Sequence, residues 1–356
     1  MGKLRFPNPG SDIERMTKVF TLIASIADDK EPFDLDFMTD VVTANGQASS
    51  QGAQGAQAVA KSRREDRSRD PLYNQLKMYS EIYRMFGWIR PTPSSRLTFT
   101  TTLLGETIAF DALNDRECLA ELVRQSVLTI AFPNTTTENL GVISQRPFSW
   151  LLRLAAQLDS VITRHEIIIG LLAKTDDTQE GGIEETVEDI RRLRRGPFQG
   201  LVDRVNIFAD QEKVQRNTLE NYTRFPMGVL CSPLIGWGTA GKIPGLYSDR
   251  RKIGAVSLSD EGISRAKEVS AMIDVRLPSI ESFSLDERAA FASLVYYQLL
   301  NRAGFREIEV ADGLSRYTER AGSIMQCLGA DSPSSLLFSP FAQEKDEVLN
   351  RAIEGV

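Results

Sequence analysis

Residues Lys61 to Glu106 constrain the fold more than any other stretch, because a basic loop, an amphipathic helix and a pair of strands follow one another directly. The loop is KSRREDRSRD, Lys61 to Asp70. In PLYNQLKMYSEIYRMFGWI the apolar residues Leu72, Leu76, Tyr79, Ile82, Tyr83 and Phe86 recur at helical spacing. Pro71 stands at the start, where its missing N–H costs nothing, and Gly87 ends the helix. Trp88-Ile89, a turn carrying Pro91 and Pro93, and RLTFTTTLLGETIA then read as a β-hairpin whose second strand is rich in Thr. This is the order of a winged helix. The helix presents Asn74, Gln75 and Lys77 beside a wing bearing Arg90 and Arg96, side chains with donors for phosphates and base edges. The pattern predicts duplex DNA as partner.

A chain of 356 residues accommodates two or three domains, and 42% hydrophobic with 25% charged residues is the balance of a soluble globular protein. Its formal charge of -6 argues against a protein that coats nucleic acid everywhere, since such binding needs many Lys and Arg to release counterions. A reader of DNA then works through local basic faces. No apolar run approaches a membrane span, and MGKLRFPNPGSD turns polar before a signal-peptide core forms, so a cytoplasmic protein is expected. Cys118, Cys231 and Cys327 lie far apart, which suggests buried thiols and neither a zinc site nor a disulfide framework. The single histidine, His165, removes His-pair metal sites and reads as a helix-surface residue.

Ser11 and Glu14 form a capping-box pattern for a helix over residues 11–28, with Ile13, Met16, Val19, Phe20 and Ile23 on one face. FDLDFMTDVVTANG reads as a second helix ending at Gly46, and Gln47 to Gly55 as a flexible segment. DRECLAELVRQSVLTIAF and SQRPFSWLLRLAAQLDSVI are amphipathic, with Pro147 near a helix start. Thr163 and Glu166 repeat the capping-box spacing ahead of IIIGLL. IEETVEDIRRLRR is acidic at its start and basic at its end, so Arg191, Arg192, Arg194 and Arg195 form either a solvated end favoured by the helix dipole or a phosphate contact. A second wing signal spans about residues 219–269, and AVSLSDEGISRAK there repeats the pattern of TFTTTLLGETIAF. LDERAAFASLVYYQLLNRAGFREIEVADG reads as a long helix and a short strand, with LSRYTERAGSIMQCLG and AQEKDEVLNRAI as further helices.

SRDPLYNQLKMYSEIYRMFGWI, LTFTTTLLGETIA, RPFSWLLRLAAQL, TRHEIIIGLLAKTDDTQEGGIEETVEDIRRLR and KIGAVSLSDEGISRAKEV come in an order that resembles the DNA-recognition region of AlwI-type type IIS restriction and site-specific nicking endonucleases. The resemblance covers roughly residues 60–270. It implies two winged-helix subdomains that grip a target sequence, and a nuclease of the PD-(D/E)xK type that cuts outside it. Such a nuclease needs an Asp and an (Asp/Glu)-x-Lys on adjacent strands to hold Mg²⁺ and position water. Asp28-Asp29-Lys30 has the residues but reads as a polar turn after a helix. Catalysis is therefore expected from a partner nuclease domain or subunit, with Mg²⁺ there, and no catalytic residue, metal ligand or cofactor is assigned to this chain.

The expected fold is mainly α with small β-wings: tandem winged-helix domains over residues 1–135 and 136–272, joined by helical segments, then a helical segment over 273–356. Arg63, Arg64, Arg67 and Arg69 read as phosphate contacts or as a self-neutralised loop, since Glu65, Asp66 and Asp70 are interleaved with them. Asn74 and Gln75 fit adenine edges and Lys77 guanine or phosphate. In the second module Arg250, Arg251 and Lys252 are consecutive, so on a strand they cannot all face one way, and at least one is expected to reach a groove or phosphate. Lys242 lies in GTAGKIPG, read as a mobile loop. The expected function is sequence-specific duplex DNA binding for a restriction or phage-defence nuclease; the alternative is a winged-helix scaffold subunit of a chromosome-organising or defence complex.

Overall fold

Helical periodicity becomes helix along most of the chain, with two small three-stranded antiparallel sheets, in a computed structural model that describes residues 6, 10–27, 31–50, 52–92, 94–111, 115–132, 144–276, 282–303 and 323–338. Glu14–Ser126 with Val275–Ser334 and Phe338–Val356 form one unit, here the N-terminal unit. Met1–Ile13, Val127–Asp274 and Ser335–Leu337 form the other, the central unit.

In the N-terminal unit, α1 (Ile13–Ile26), β1 (Phe33–Asp34) and α2 (Leu35–Ala44) lead to a short ladder, β2 (Ser49–Ser50) with β3 (Ala53–Gln54), and to α3 (Ala56–Ala60). Then come α4 (Pro71–Met85), β4 (Ile89–Thr92), β5 (Ser95–Thr101), the helical turn α5 (Leu103–Glu106) and α6 (Arg116–Leu128). Asp34 caps α2 by accepting from the Phe37 N–H at 2.9 Å, and Asp70 caps α4 by accepting from the N–H groups of Leu72 and Tyr73. The predicted apolar stripe of α4, from Leu72 to Phe86, is buried throughout. Its Tyr83 hydroxyl donates to the Met16 carbonyl at 2.8 Å, and Phe20 packs against both Tyr83 and Trp88, ring centroids 5.1 and 4.9 Å away, while those two rings stack on each other at 5.7 Å. The sheet runs β1-β5-β4, with Phe33 opposite Phe99 and Ile89 opposite Thr101.

The central unit contains α7 (Pro147–Gln157), β6 (Val161–Thr163) and α8 (Arg164–Ile167), which widens into a π-helical turn over Ile168–Leu172. There follow α9 (Gly182–Arg194), α10 (Phe198–Gln211), α11 (Arg216–Tyr222), α12 (Arg224–Cys231), β7 (Gly238–Ile243), β8 (Ile253–Leu258), α13 (Asp260–Ala271) and β9 (Ile273–Asp274). Its sheet runs β6-β8-β7, so the strand before the second helix again pairs with the later strand of the hairpin. The Thr163/Glu166 capping box is present on both sides. Further along, α14 (Leu285–Arg302) belongs to the N-terminal unit, and β10 (Leu336–Leu337) pairs with β9 in the central one.

Both hairpins end on the same junction. Thr102 donates its N–H to the Trp88 carbonyl and its hydroxyl to the Gly87 carbonyl, at 3.0 and 2.6 Å, while that hydroxyl accepts from the Gly105 N–H. Ser259 does the same with Trp237, Gly236 and Gly262, at 2.9 Å for the N–H and 2.6 Å for the hydroxyl. A Cβ on Gly105 or Gly262 would lie 2.1 Å from the carbonyl oxygen of Trp88 or Trp237. The repeat visible in the sequence is therefore a close approach that only glycine permits.

Three expectations change. The segment Gln47 to Gly55 carries the β2–β3 ladder, because Gly52 turns with positive φ and Ala48 and Ala53 bury their side chains. GTAGKIPG is mostly strand: β7 pairs with β8 from Gly238 to Ile243 and includes Lys242. Arg250, Arg251 and Lys252 precede β8 rather than lie on it. The strand expected in FREIEV, the helix in AQEKDEVLNRAI and the triplet Asp28-Asp29-Lys30 lie outside the described residues.

Candidate nucleic-acid interface

The basic loop Lys61–Asp70 is laid against the acidic side of α2. Arg67 pairs with Asp36 and Arg64 with Asp40, two carboxylates one helical turn apart, and Arg69 reaches Asp66 at 3.5 Å. Ser62 donates to Asp70, which holds the loop's end to the start of α4. Lys61, Arg63, Arg64, Arg67 and Arg69 thus stand among Asp36, Asp40, Glu65, Asp66 and Asp70, and the local charge balances. Arg63 is exposed and makes no ion pair among the described residues. Arg67 also lies over the Tyr73 ring, 5.8 Å from its centroid. Burial and, after it, the Asp36 charge push the Tyr73 hydroxyl up from its ordinary pKa.

On α4 the candidate readers diverge. Lys77 is exposed. Asn74, half-buried, donates to the Ser68 carbonyl at 3.1 Å and so ties the basic loop to the helix. Gln75 is half-buried in the direction of Arg15 and Gln47 and donates to the Tyr79 hydroxyl at 3.3 Å. In the hairpin Arg90 reaches Thr100 across the β4–β5 pair at 3.3 Å, and Arg96 is exposed near its turn.

The hairpin of the central unit rests on a buried polar network that sequence reasoning missed. Glu166 is fully buried and accepts from the Arg194 Nε at 2.8 Å, the Tyr247 hydroxyl at 2.7 Å and the Thr163 N–H at 2.8 Å. Arg194, only 9% exposed, spends its remaining donors on the carbonyls of Leu158 and Val161. Burial alone depresses the Arg194 pKa, and the hydrogen bond and charge of Glu166 reverse that into a rise. Tyr247 is driven far above its ordinary range by burial first and by Glu166 second. Its ring packs with Leu201 and Ile253. The one signal for this network was a capping-box glutamate followed directly by Ile167, Ile168 and Ile169, which places the box beside an apolar run.

Around that anchor the loop between β7 and β8 is basic. Arg250 is exposed with φ +52°, in the left-handed region that costs a non-glycine residue about 1 kcal/mol. Arg251 pairs with Asp249 at 3.3 Å, and the same carboxylate accepts from the Phe198 N–H at the start of α10. Lys242, Arg250 and Lys252 are exposed and make no ion pair among the described residues. A cleft of about 590 Å³ opens here, lined by Arg194, Arg195, Gly245, Tyr247, Ser248 and Arg250 among others.

The arginine run of α9 divides. Arg191 donates to the Gln157 carbonyl, Arg192 and Arg195 pair with Asp189 and Glu188 on the surface, and Arg194 is interior. His165 is half-buried, edge-on to Phe198 at 5.3 Å and 3.6 Å from Glu220, so it is not a plain surface residue. Burial lowers its pKa, against a smaller upward pull from Glu220. Cys118 is buried, Cys231 half-buried and Cys327 exposed, which corrects the expectation of three buried thiols. Among the described residues no three His, Cys, Asp or Glu side chains are grouped to hold a metal ion, and no helix is long and apolar enough to cross a membrane. The chain matches no protein-family model and no curated protein.

Proposed function

We propose that this chain binds duplex DNA sequence-specifically through two winged-helix modules, as the target-recognition part of a restriction or phage-defence nuclease system. The observation that carries the reading occurs twice: a strand leads into a helix, a later helix leads into a hairpin, and the first strand pairs with the hairpin's second strand. Helix α4 supplies the reading face, with Lys77 outermost and Asn74 one turn before it. Helix α12 serves packing: Phe225, Val229 and Leu230 are buried, and a Cβ on Gly228 would lie 2.3 Å from the Ser11 carbonyl oxygen. The central module therefore contributes its hairpin and the cations beside it. The cutting activity and its Mg²⁺ belong to a partner nuclease.

Selection of bound duplexes from a random pool by the purified chain tests this reading. Convergence on one sequence, relaxed at particular base pairs by Asn74→Ala or Lys77→Ala, is the expected result. Recovery of unenriched DNA contradicts it.

A second reading, a scaffold subunit that uses winged helices for protein contacts, draws on the neutralisation of Arg64, Arg67 and Arg69 by carboxylates. On that reading the chain binds DNA no more tightly than its net charge allows.

A further inference from the structure

We propose that the cleft behind the β7–β8 loop is a phosphate site, with the guanidinium groups of Arg195 and Arg250 and the hydroxyl of Ser248 as its donors. The inference deepens the DNA reading and rests on it only for the source of the phosphate, a backbone phosphodiester or a free phosphorylated molecule. Three observations converge on the cleft. Its wall is fixed in advance: Arg194 and Tyr247 line it, and both are locked onto the buried Glu166, so the loop is held in place before any ligand arrives. The charge beside it is uncompensated, because Arg250 has no carboxylate among the described residues and Lys252 follows two positions later. The third is conformational. Arg250 holds a left-handed backbone, its N–H bonded to the Tyr247 carbonyl at 3.0 Å, where glycine would sit without strain.

Arg195 completes the pair. Its present partner, Glu188, lies 3.0 Å away on the surface, where an ion pair is worth little and the guanidinium fork can turn to the oxygens of a phosphate instead. Arg194 takes no part in binding, since its donors are already engaged by Glu166, Leu158 and Val161. The sequence pointed first to the loop Lys61–Asp70 for phosphate contact; Arg64, Arg67 and Arg69 there hold surface ion pairs of the same kind as Arg195, and the cleft is a further candidate beside that loop.

The test uses the full chain with Arg250→Gly and Arg195→Gln. Arg250→Gly removes the guanidinium and relieves the backbone, so its unfolding midpoint is expected no lower than the parent's. Pyrophosphate binding is followed by calorimetry, and binding to a short duplex by anisotropy across a salt series. We expect each variant to weaken pyrophosphate binding by about tenfold, or to lower the duplex salt slope by about one, or both. Loss of pyrophosphate binding in the variants of a parent that ignores duplex DNA upholds the cleft and refutes the DNA reading. A parent that binds duplex with a slope neither variant changes, and whose pyrophosphate binding they leave intact, refutes the cleft and spares the DNA reading. A parent that binds neither probe refutes both.

Discussion

The Tyr247 hydroxyl donates to a carboxylate oxygen of Glu166 2.7 Å away, across 81 residues of sequence, and so fastens the hairpin loop of the central unit to the start of α8. Both side chains are buried and Arg194 closes the network from α9. A buried carboxylate is stable here only because every contact to it is a donor.

Tyr247→Phe keeps the ring against Leu201 and Ile253 and deletes one hydrogen bond to a charged group. A loss of about 1.5–3 kcal/mol in urea unfolding is expected. Glu166→Gln, which leaves Arg194 only the exposed Asp159 carboxylate 4.0 Å away, is expected to cost more, about 3–5 kcal/mol. Equal and negligible costs would show that the network contributes nothing.

Gly105→Ala and Gly262→Ala each drive a Cβ to 2.1 Å from a backbone carbonyl oxygen. Each is expected to lower stability by about 3 kcal/mol, since two backbones must separate. Gly241, where an added methyl group would meet nothing within 4 Å, is the control, and Gly241→Ala is expected to stay within about 0.5 kcal/mol of the parent. Tolerance of alanine at positions 105 and 262 contradicts the close backbone approach at the two junctions.

The two junction tryptophans differ in one bond. The Trp88 indole N–H donates to the Ser126 hydroxyl at 3.0 Å, whereas that of Trp237 finds no acceptor among the described residues. Trp88→Phe is expected to cost about 1–2 kcal/mol more than Trp237→Phe. The reverse order in denaturant midpoints overturns this.

His165 links stability to pH. Burial lowers its folded pKa below the ordinary 6.5, so the folded state prefers the neutral ring. Stability is then full above pH 6.5, falls as pH drops through 6.5, and stops falling below the depressed folded pKa. His165→Gln is expected to flatten the change in unfolding midpoint between about pH 7.5 and about pH 5.5. An unaltered pH profile in that variant assigns the change to other groups.

Much of the helical framework was legible in the sequence because apolar spacing and caps are local: the Leu72 to Phe86 stripe, Pro71 and Pro147 at helix starts, and the Thr163/Glu166 box all appear where the pattern places them. Strand β7 was not legible, since Gly238, Thr239, Ala240 and Gly241 carry no strand periodicity and depend on β8 for their pairing. Nor were the ion pairs. Arg64 and Arg67 find Asp40 and Asp36 on a helix 24 and 31 residues earlier, and no local rule joins an exposed arginine to a carboxylate at that distance. The contact from Tyr247 to Glu166 is longer still, so the network that anchors the central hairpin had no local signature.

Duplex binding by the isolated chain as a function of salt tests the proposed function most directly. Phosphate contacts by Lys and Arg release counterions, so affinity should fall at least tenfold between about 50 mM and about 200 mM monovalent salt, along a straight line in the logarithms. Binding that is undetectable at the lowest salt, or unchanged across the series, contradicts the proposal that this chain grips DNA.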